Sequence, residues 1–134
     1  TGVSGDKYAL AYFGYAYYAE NASKLKAIKI VNDQGDCVAP EAAAINSGVY
    51  NPLSRPLFIY VRGDVAGVEP VKSFVEFYLS PTGRDLVGEA GYVAYPDEVY
   101  ELALGRLQNV NTELLWGGAS PKSGGVLERL KNNQ

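Results

Sequence analysis

One short run of apolar residues constrains the fold of this chain more than any other feature. The run is Leu57-Phe-Ile-Tyr-Val61, and Arg55-Pro56 precedes it. A strand that is apolar at every position is typical of a sheet with helices packed on both faces. We therefore predict a strand at residues 57–61, buried on both faces, in an α/β fold with few strands and helices packed around them.

Helices are predicted to follow this strand. Residues 68–79 place Val71, Phe74, Val75 and Tyr78 at helical spacing, which indicates one apolar stripe. Ser80-Pro81 has the residue types of an N-cap and a first helical position. The helices predicted are 68–79, 80 to about 90 with Gly91 as the stop, 96 to about 107, and 126–131.

The first part of the chain carries shorter signals. Residues 8–13 are aromatic and apolar, which favours a buried strand, and residues 15–25 have a helix-compatible order. Residues 26–31 alternate charged and apolar side chains, the period of a half-exposed strand. A turn is predicted at 32–35, and a short helix at 40–45 that ends at Ser47-Gly48.

Composition excludes several classes of function. The chain has 134 residues, one domain's worth, with a net charge of −3 and no dense Lys/Arg cluster, which argues against a nucleic-acid partner. No histidine is present, so triads that need a His base are excluded. No apolar run approaches the ~20 residues that cross a bilayer. Because the chain has no Met and begins with Thr1, we expect it to be a processed or excised piece.

Catalytic and metal sites find little support among the remaining residues. Cys37 follows Asp33 and Asp36, whose negative charge does not favour a thiolate, and it has no second Cys for a disulfide or a zinc site. The same acidic loop lacks the Glu that completes a calcium loop. The pair Asp97-Glu98 is interpreted as the acidic first turn of a helix. We predict no enzyme activity, no metal and no cofactor.

Two glycine-rich patches could hold an anion through backbone N–H groups, although such patches are more often plain loops. They are Gly2-Val-Ser-Gly-Asp-Lys7 and Gly117-Gly-Ala-Ser-Pro-Lys-Ser-Gly-Gly125, and neither has the order of a nucleotide P-loop. The tyrosines near the start leave a similar choice between a stacking surface and aromatic packing under a core, and we favour packing. These tyrosines are Tyr8, Tyr12, Tyr15, Tyr17 and Tyr18.

Three motifs, in order along the chain, resemble those of one known protein family. Ala11-Tyr-Phe-Gly-Tyr-Ala-Tyr-Tyr18 is similar to that family's Gly-Tyr-Phe-Gly-Tyr-Ala-Tyr segment. Pro52-Leu-Ser-Arg-Pro-Leu-Phe-Ile-Tyr-Val61 resembles its strand that returns to the first lobe. Gly91-Tyr-Val-Ala-Tyr-Pro96 resembles its Gly-Tyr-Val-Pro-Leu-Pro turn, with Ala94-Tyr95 departing from it. The family is the phosphate-binding proteins of bacterial high-affinity phosphate ABC importers, which are type II periplasmic binding proteins, and the resemblance runs from about Val3 to Leu130.

The resemblance implies the C-terminal portion of a two-lobed fold. Residues 1–53 would be the remainder of the second lobe, and residues 54–134 the C-terminal part of the first lobe. The family's phosphate ligands lie mostly upstream, and its Arg-x-x-x-Ser-Gly-Thr loop has no counterpart here, because no Arg lies four residues before Ser4. No phosphate-binding residue is therefore assigned.

The function implied is capture of inorganic phosphate, by the intact parent, for an ABC permease, in the periplasm or on the outer face of the cytoplasmic membrane. The isolated piece is expected not to bind phosphate tightly. We also expect it to associate with the N-terminal remainder of its parent or with a second copy, with a hinge at residues 47–55. The alternative is a stand-alone interaction or scaffold module with no ligand.

Overall fold

The computed structural model of the protein describes residues 1–119 and 125–133. Within these ranges the chain is mainly helical, with one small sheet. In chain order the elements are α1 (Gly2–Gly5), α2 (Tyr15–Glu20), β1 (Ile30–Val31), β2 (Cys37–Val38), α3 (Ala42–Asn46), α4 (Val71–Leu79), α5 (Pro81–Glu89), α6 (Asp97–Gln108) and α7 (Val126–Asn132). No helix in the described ranges has the length and hydropathy to cross a membrane.

A cluster of buried apolar residues lies where α6 meets α7. Val99 of α6 is buried against Val126 and Leu130 of α7. Side chains that are partly buried complete this cluster: Tyr95, Leu102, Leu115, Trp116 and Leu127. Burial of apolar surface at ~25 cal/mol per Å² is what joins the two helices.

Arg106 links the loop after α6 to the end of α7 by hydrogen bonds. Its guanidinium donates to the carbonyl oxygens of Asn133 at 2.7 Å, Glu113 at 2.5 Å and Asn111 at 3.4 Å. The Asn111 amide donates to the same Asn133 oxygen at 3.0 Å. Because a planar guanidinium can bond several carbonyls at once, one side chain satisfies the loop after α6 and the end of α7 together.

The corner between α4 and α5 follows the rules of helix capping. Ser80 Oγ accepts a hydrogen bond from Gly83 N at 3.2 Å, and Pro81 occupies the first helical position, as predicted. A Cβ on Gly83 would clash with the carbonyl oxygens of Phe77 and Tyr78. Glycine at 83 therefore allows α5 to start this close to the end of α4.

The two strands form an antiparallel hairpin of minimal length. Ile30 pairs with Val38 and Val31 with Cys37. The turn between them includes Gly35, whose φ of 89° is a conformation that favours glycine. The predicted turn at 32–35 is confirmed, whereas the predicted strand 26–31 is reduced to its last two residues.

Two predicted strands are not formed. Residues 8–13 and 57–61 are extended or irregular and pair with no strand in the described ranges. Burial was also predicted wrongly, since Tyr12 is 99% exposed, Tyr60 91% and Leu57 72%. A strand is stable only when a neighbour satisfies its backbone groups, and the described sheet contains only β1 and β2.

The predicted helices are confirmed, with shifted ends. The helix predicted at 15–25 ends at Glu20, and the helix predicted at 68–79 begins at Val71. Of the apolar stripe predicted for α4, Val75 is buried, whereas Phe74 is 64% exposed. Helix caps and helical periodicity depend on residues that are close in sequence, so the helices were predicted correctly. The strands depend on distant partners, so their prediction failed.

Candidate functional site

A broad, open cavity of about 510 Å³ lies between the start of the chain and α2. Ser4 of the first glycine-rich patch and Tyr17 of the tyrosine-rich segment both line it. The remaining lining residues are Thr1, Phe13, Asn21, Lys24 and Leu25. The structure thus brings together two sequence features that were considered separately.

Several polar groups at this cavity already have intramolecular partners. Ser4 Oγ donates to Thr1 O at 2.9 Å, and the Asn21 side-chain amide donates to Tyr17 O at 3.0 Å. The Lys24 ammonium and the Tyr17 hydroxyl are among the groups at this cavity that could form a hydrogen bond with a solute. An oxyanion that leaves water gives up a full shell of hydrogen bonds, so a site that captures one needs many convergent donors.

The second glycine-rich patch is described only at its ends. Residues 120–124 of this patch lie outside the described residues. Gly117, Gly118 and Gly125 have φ values of 54°, 87° and 79°. Such values suit loops and anion-binding turns alike, so they assign no role to the patch.

The acidic loop is a compact turn built around Asn32. Asn32 Oδ1 accepts hydrogen bonds from Gln34 N at 3.0 Å and Asp36 N at 2.9 Å. Cys37 follows on β2 and is exposed. No group of three His, Cys, Asp or Glu side chains within residues 1–119 and 125–133 is placed to hold a metal ion.

The acidic start of α6 is confirmed, and it also forms two ion pairs. Asp97 Oδ1 lies 2.7 Å from Arg84 Nη1 of α5, and Glu98 Oε1 lies 2.6 Å from Lys131 Nζ of α7. The Arg84 guanidinium also lies over the Tyr100 ring, 5.9 Å from its centroid. Asp97 and Glu98 are therefore structural residues that orient α6 between its neighbours.

Three tyrosines have a raised pKa. Burial, with a smaller contribution from Tyr100, raises the pKa of Tyr95 to about 12. Burial likewise raises the pKa of Tyr100 and of Tyr50. None of these three lines the cavity beside α2, so the shifts reflect packing of the scaffold.

The preferred interpretation of the N-terminal tyrosines was wrong for three of them. Tyr8, Tyr12 and Tyr17 are 89%, 99% and 64% exposed, and so do not pack under a core. Tyr15 and Tyr18 make a tilted ring contact with centroids 6.3 Å apart. The reason is the same as for the strand 8–13, since a segment without a paired neighbour has no sheet to pack it.

Sequence reasoning missed the lining residues Asn21 and Lys24 and the central role of Asn32. Asn21 and Lys24 follow α2, and Asn21 donates back to Tyr17 O, a local signal of a helix end. The Asn32-Asp33-Gln34-Gly35 order did predict a turn. The sequence carried no signal that Asn32 would also reach a distant segment.

Comparison with known proteins matches almost the whole chain to part of longer proteins. The protein SphX of Synechococcus elongatus is 40% identical over 130 residues, which are 97% of this chain and 38% of that protein. The phosphate-binding protein PstS of Staphylococcus aureus is 39% identical over 107 residues, 79% of this chain and 32% of that protein. No family model matches the chain.

A solved structure supports the same relationship in three dimensions. It is the crystal structure of a possible phosphate-binding protein from Planctomyces limnophilus, 50% identical, with a TM-score of 0.68 over 81% of this chain and 38% of that chain. The resemblance predicted from the sequence is confirmed: this chain is similar in sequence and in fold to part of bacterial phosphate-binding proteins. Its helices and small sheet are a partial α/β fold of the periplasmic-binding-protein kind. The chain spans between about a third and two fifths of the length of the relatives it matches.

Proposed function

We propose that this chain is the C-terminal part of a solute-binding protein that captures inorganic phosphate for an ABC permease. The observation that carries the proposal is the 50% identity and 0.68 TM-score to a possible phosphate-binding protein. The 39% identity to a PstS protein supports it independently at the level of sequence. Capture would take place in the periplasm or on the outer face of the cytoplasmic membrane.

Binding in such a protein would be a closure of two lobes on the anion, with no chemical step. Residues 1–53 would belong to the second lobe and residues 54–134 to the first. The absence of histidine from the sequence agrees with a function that needs no general base at neutral pH.

The isolated chain is proposed not to bind phosphate tightly. The cavity beside α2 is open, and its Ser4 and Asn21 side chains already donate to the backbone. Capture of a solvated oxyanion requires many convergent donors, which two closing lobes would supply together. The donors described at this cavity would be too few to replace the water shell.

Phosphate titration of the intact parent tests this function. Calorimetry at micromolar phosphate should show saturable binding with a stoichiometry of one, and sulfate at equal concentration is the control anion. No heat of binding to phosphate would reject the transport function. The alternative, a scaffold module without a ligand, predicts that negative result.

A further inference from the structure

The end of α6 contains a residue with a strained backbone. Val110 N donates to Leu107 O at 3.1 Å and Asn111 N donates to Arg106 O at 2.9 Å, which is the pair of hydrogen bonds of a Schellman motif. The residue in the left-handed position of that motif is usually glycine. Here it is Val110, with a φ of 47°, and no other non-glycine residue in the described ranges has a positive φ. A β-branched side chain is disfavoured in this conformation, so Val110 lowers the stability of the helix end.

Packing of the Val110 side chain does not explain why a valine is tolerated there. Val110 is 45% exposed, so its methyl groups gain only part of the burial that a core valine gains. Its Cγ1 lies 3.5 Å from the position that a Cβ on Gly63 would occupy, which is an ordinary van der Waals distance. Strained residues cluster at ligand contacts and active sites, so the strain at Val110 motivates a search for a ligand site beside it.

Val110 lines a cavity of about 370 Å³ between α4 and the end of α6. Sites for small molecules have volumes of about 300–1,000 Å³, with apolar walls and a few polar groups. Leu107 and Val110 supply apolar surface at the end of α6. Lys72 and Glu76 of α4 supply charges of opposite sign, and Gln108 supplies an amide. The cavity therefore combines the groups that a small amphipathic solute needs.

The two charges at this cavity favour one kind of solute. Lys72 Nζ lies 4.0 Å from Glu76 Oε1, and the two side chains are 46% and 36% exposed. This separation is longer than a hydrogen bond, so the ammonium retains donors and the carboxylate retains acceptors for a third partner. A simple anion at Lys72 is repelled by Glu76, and a simple cation at Glu76 is repelled by Lys72. A solute that carries both charges avoids both repulsions.

We propose that this cavity binds a small zwitterion with an aliphatic part, which is the chemistry of an aliphatic α-amino acid. The carboxylate of the solute lies at Lys72 Nζ, and its ammonium lies at the Glu76 carboxylate. Its aliphatic part packs against Leu107 and Val110, so the strained valine is retained for this contact. The proposal goes beyond phosphate capture and does not depend on it, because a simple anion is not favoured at this cavity.

Titration of the 134-residue chain with L-leucine, followed by amide chemical shifts, tests the binding. Leucine at millimolar concentration should give saturable shifts at residues 72–76 and 107–110. Three matched probes each lack one feature: isocaproate lacks the ammonium, isoamylamine lacks the carboxylate, and glycine lacks the aliphatic part. Each of these, and inorganic phosphate, should bind at least about fivefold more weakly. Equal binding of leucine and isocaproate, or no saturable shift with leucine, would overturn the proposal.

Charge variants test which groups hold the solute. Lys72→Gln and Glu76→Gln should each weaken leucine binding about fivefold, because each removes one of the two charged contacts. Glu101→Gln is the matched control, since Glu101 is exposed on α6 and does not line the cavity. It should leave leucine binding unchanged. Equal weakening by all three variants would contradict the assigned roles of Lys72 and Glu76.

Substitution of Val110 separates a role in binding from a role in folding. Val110→Gly should raise the free energy of unfolding of the chain without leucine, because glycine accepts the left-handed conformation. The same variant should bind leucine about fivefold more weakly, because apolar contact is lost. Val49→Gly is the matched control, since Val49 is 40% exposed and has no positive φ, and it should lower the free energy of unfolding.

Val110→Asn provides a second variant if Val110→Gly fails to fold, because asparagine also occurs at the left-handed position of a helix end. It should retain or raise the stability of the free chain and weaken leucine binding. A lower free energy of unfolding for both variants would show that Val110 serves folding. That result, or unchanged leucine binding by both variants, would overturn the proposal.

Discussion

Gly91 lies directly against Ala16, so that a Cβ built on Gly91 would come within 3.0 Å of the Ala16 Cβ. The contact joins the tyrosine-rich helix α2 to the Gly-Tyr-Val turn after α5. Ala16 is buried, and Gly91 has a φ of 79°. Two motifs that are 75 positions apart in sequence therefore pack closely at a glycine and an alanine. The contact joins the N-terminal part of the chain to the helical part that follows residue 68.

Substitution of Gly91 should destabilise the chain for two reasons. Gly91→Ala places a Cβ in the left-handed region, at about 1–2 kcal/mol, and also presses it against Ala16. Gly35→Ala is the matched control, since its φ is 89° and nothing lies within 4 Å of the added Cβ. Denaturant unfolding should show a larger loss for Gly91→Ala.

The Ala16 contact can be separated from backbone strain by a double variant. Ala16→Gly in the Gly91→Ala chain should restore part of the stability, so that the two changes together cost less than their sum. If Gly91→Ala and Gly35→Ala lower the free energy of unfolding equally, and Ala16→Gly restores none of it, the contact between Gly91 and Ala16 does not contribute to stability.

Replacement of Arg106 by lysine should weaken the C-terminal region. A lysine ammonium cannot reach the three carbonyl oxygens that the guanidinium bonds, and loss of such charged hydrogen bonds costs about 1.5–3 kcal/mol. Arg62→Lys is the control, because Arg62 is exposed and its partner is the neighbouring Asp64. Thermal unfolding should show a lower Tm for Arg106→Lys alone. A Tm equal to that of Arg62→Lys would contradict this role.

Stability should fall at alkaline pH, in part through Tyr95. Burial raises the pKa of Tyr95 from 10.0 to about 12 in the folded chain, so the unfolded chain releases this proton first. The contribution of Tyr95 to the free energy of unfolding is constant below pH 10 and is lost as the pH rises from about 10 to about 12. The free energy of unfolding of Tyr95→Phe should therefore fall less steeply in that range than that of the unchanged chain.

Tyr60→Phe is the control for this pH dependence, since Tyr60 is 91% exposed. Its slope of unfolding free energy against pH should match that of the unchanged chain. A Tyr95→Phe slope identical to both would show that the hydroxyl ionises equally easily in the folded and unfolded states.

The extended residues 57–61 should drive association of the chain. Their backbone is unpaired within the described ranges and carries exposed Leu57 and Tyr60, and such strand edges pair with whatever segment is offered. Light scattering at micromolar concentration should give a mass above 14.4 kDa. The double variant Leu57→Lys/Tyr60→Lys should shift the mass toward the monomer.

Ile28→Lys is the matched control for association, because Ile28 is also an exposed apolar residue but lies outside the segment. It should associate as the unchanged chain does. A clean monomer for the unchanged chain would leave the association without support.

Features that depend on neighbouring residues were predicted from the sequence, whereas features that depend on distant residues were not. The Ser80-Pro81 start, the acidic start of α6 and the turn at 32–35 depend on neighbours within a few positions, and all three were predicted. The strand at 57–61 depends on partners far along the chain, so its apolar pattern alone was misleading. The hydrogen bonds from Asn32 Nδ2 to Val49 O and from Asp33 N to Asn51 Oδ1 depend on tertiary structure, and the sequence pattern did not predict them.

The candidate cavity shows the same limit. Ser4 and the tyrosine-rich segment were each recognised as capable of contacting a solute, but their proximity arises from the way residues 1–25 fold. Lys24, the lysine that lines that cavity, lies in an ordinary polar stretch after a helix. Nothing local marks it as different from the neighbouring lysines.

Phosphate titration of this chain beside its intact parent tests the central claim most directly. Calorimetry should show saturable binding by the parent and no binding by the 134-residue chain at micromolar phosphate. That pattern is expected if the anion needs donors from two lobes and this chain supplies only a part of them. Micromolar affinity of the 134-residue chain on its own would contradict the account.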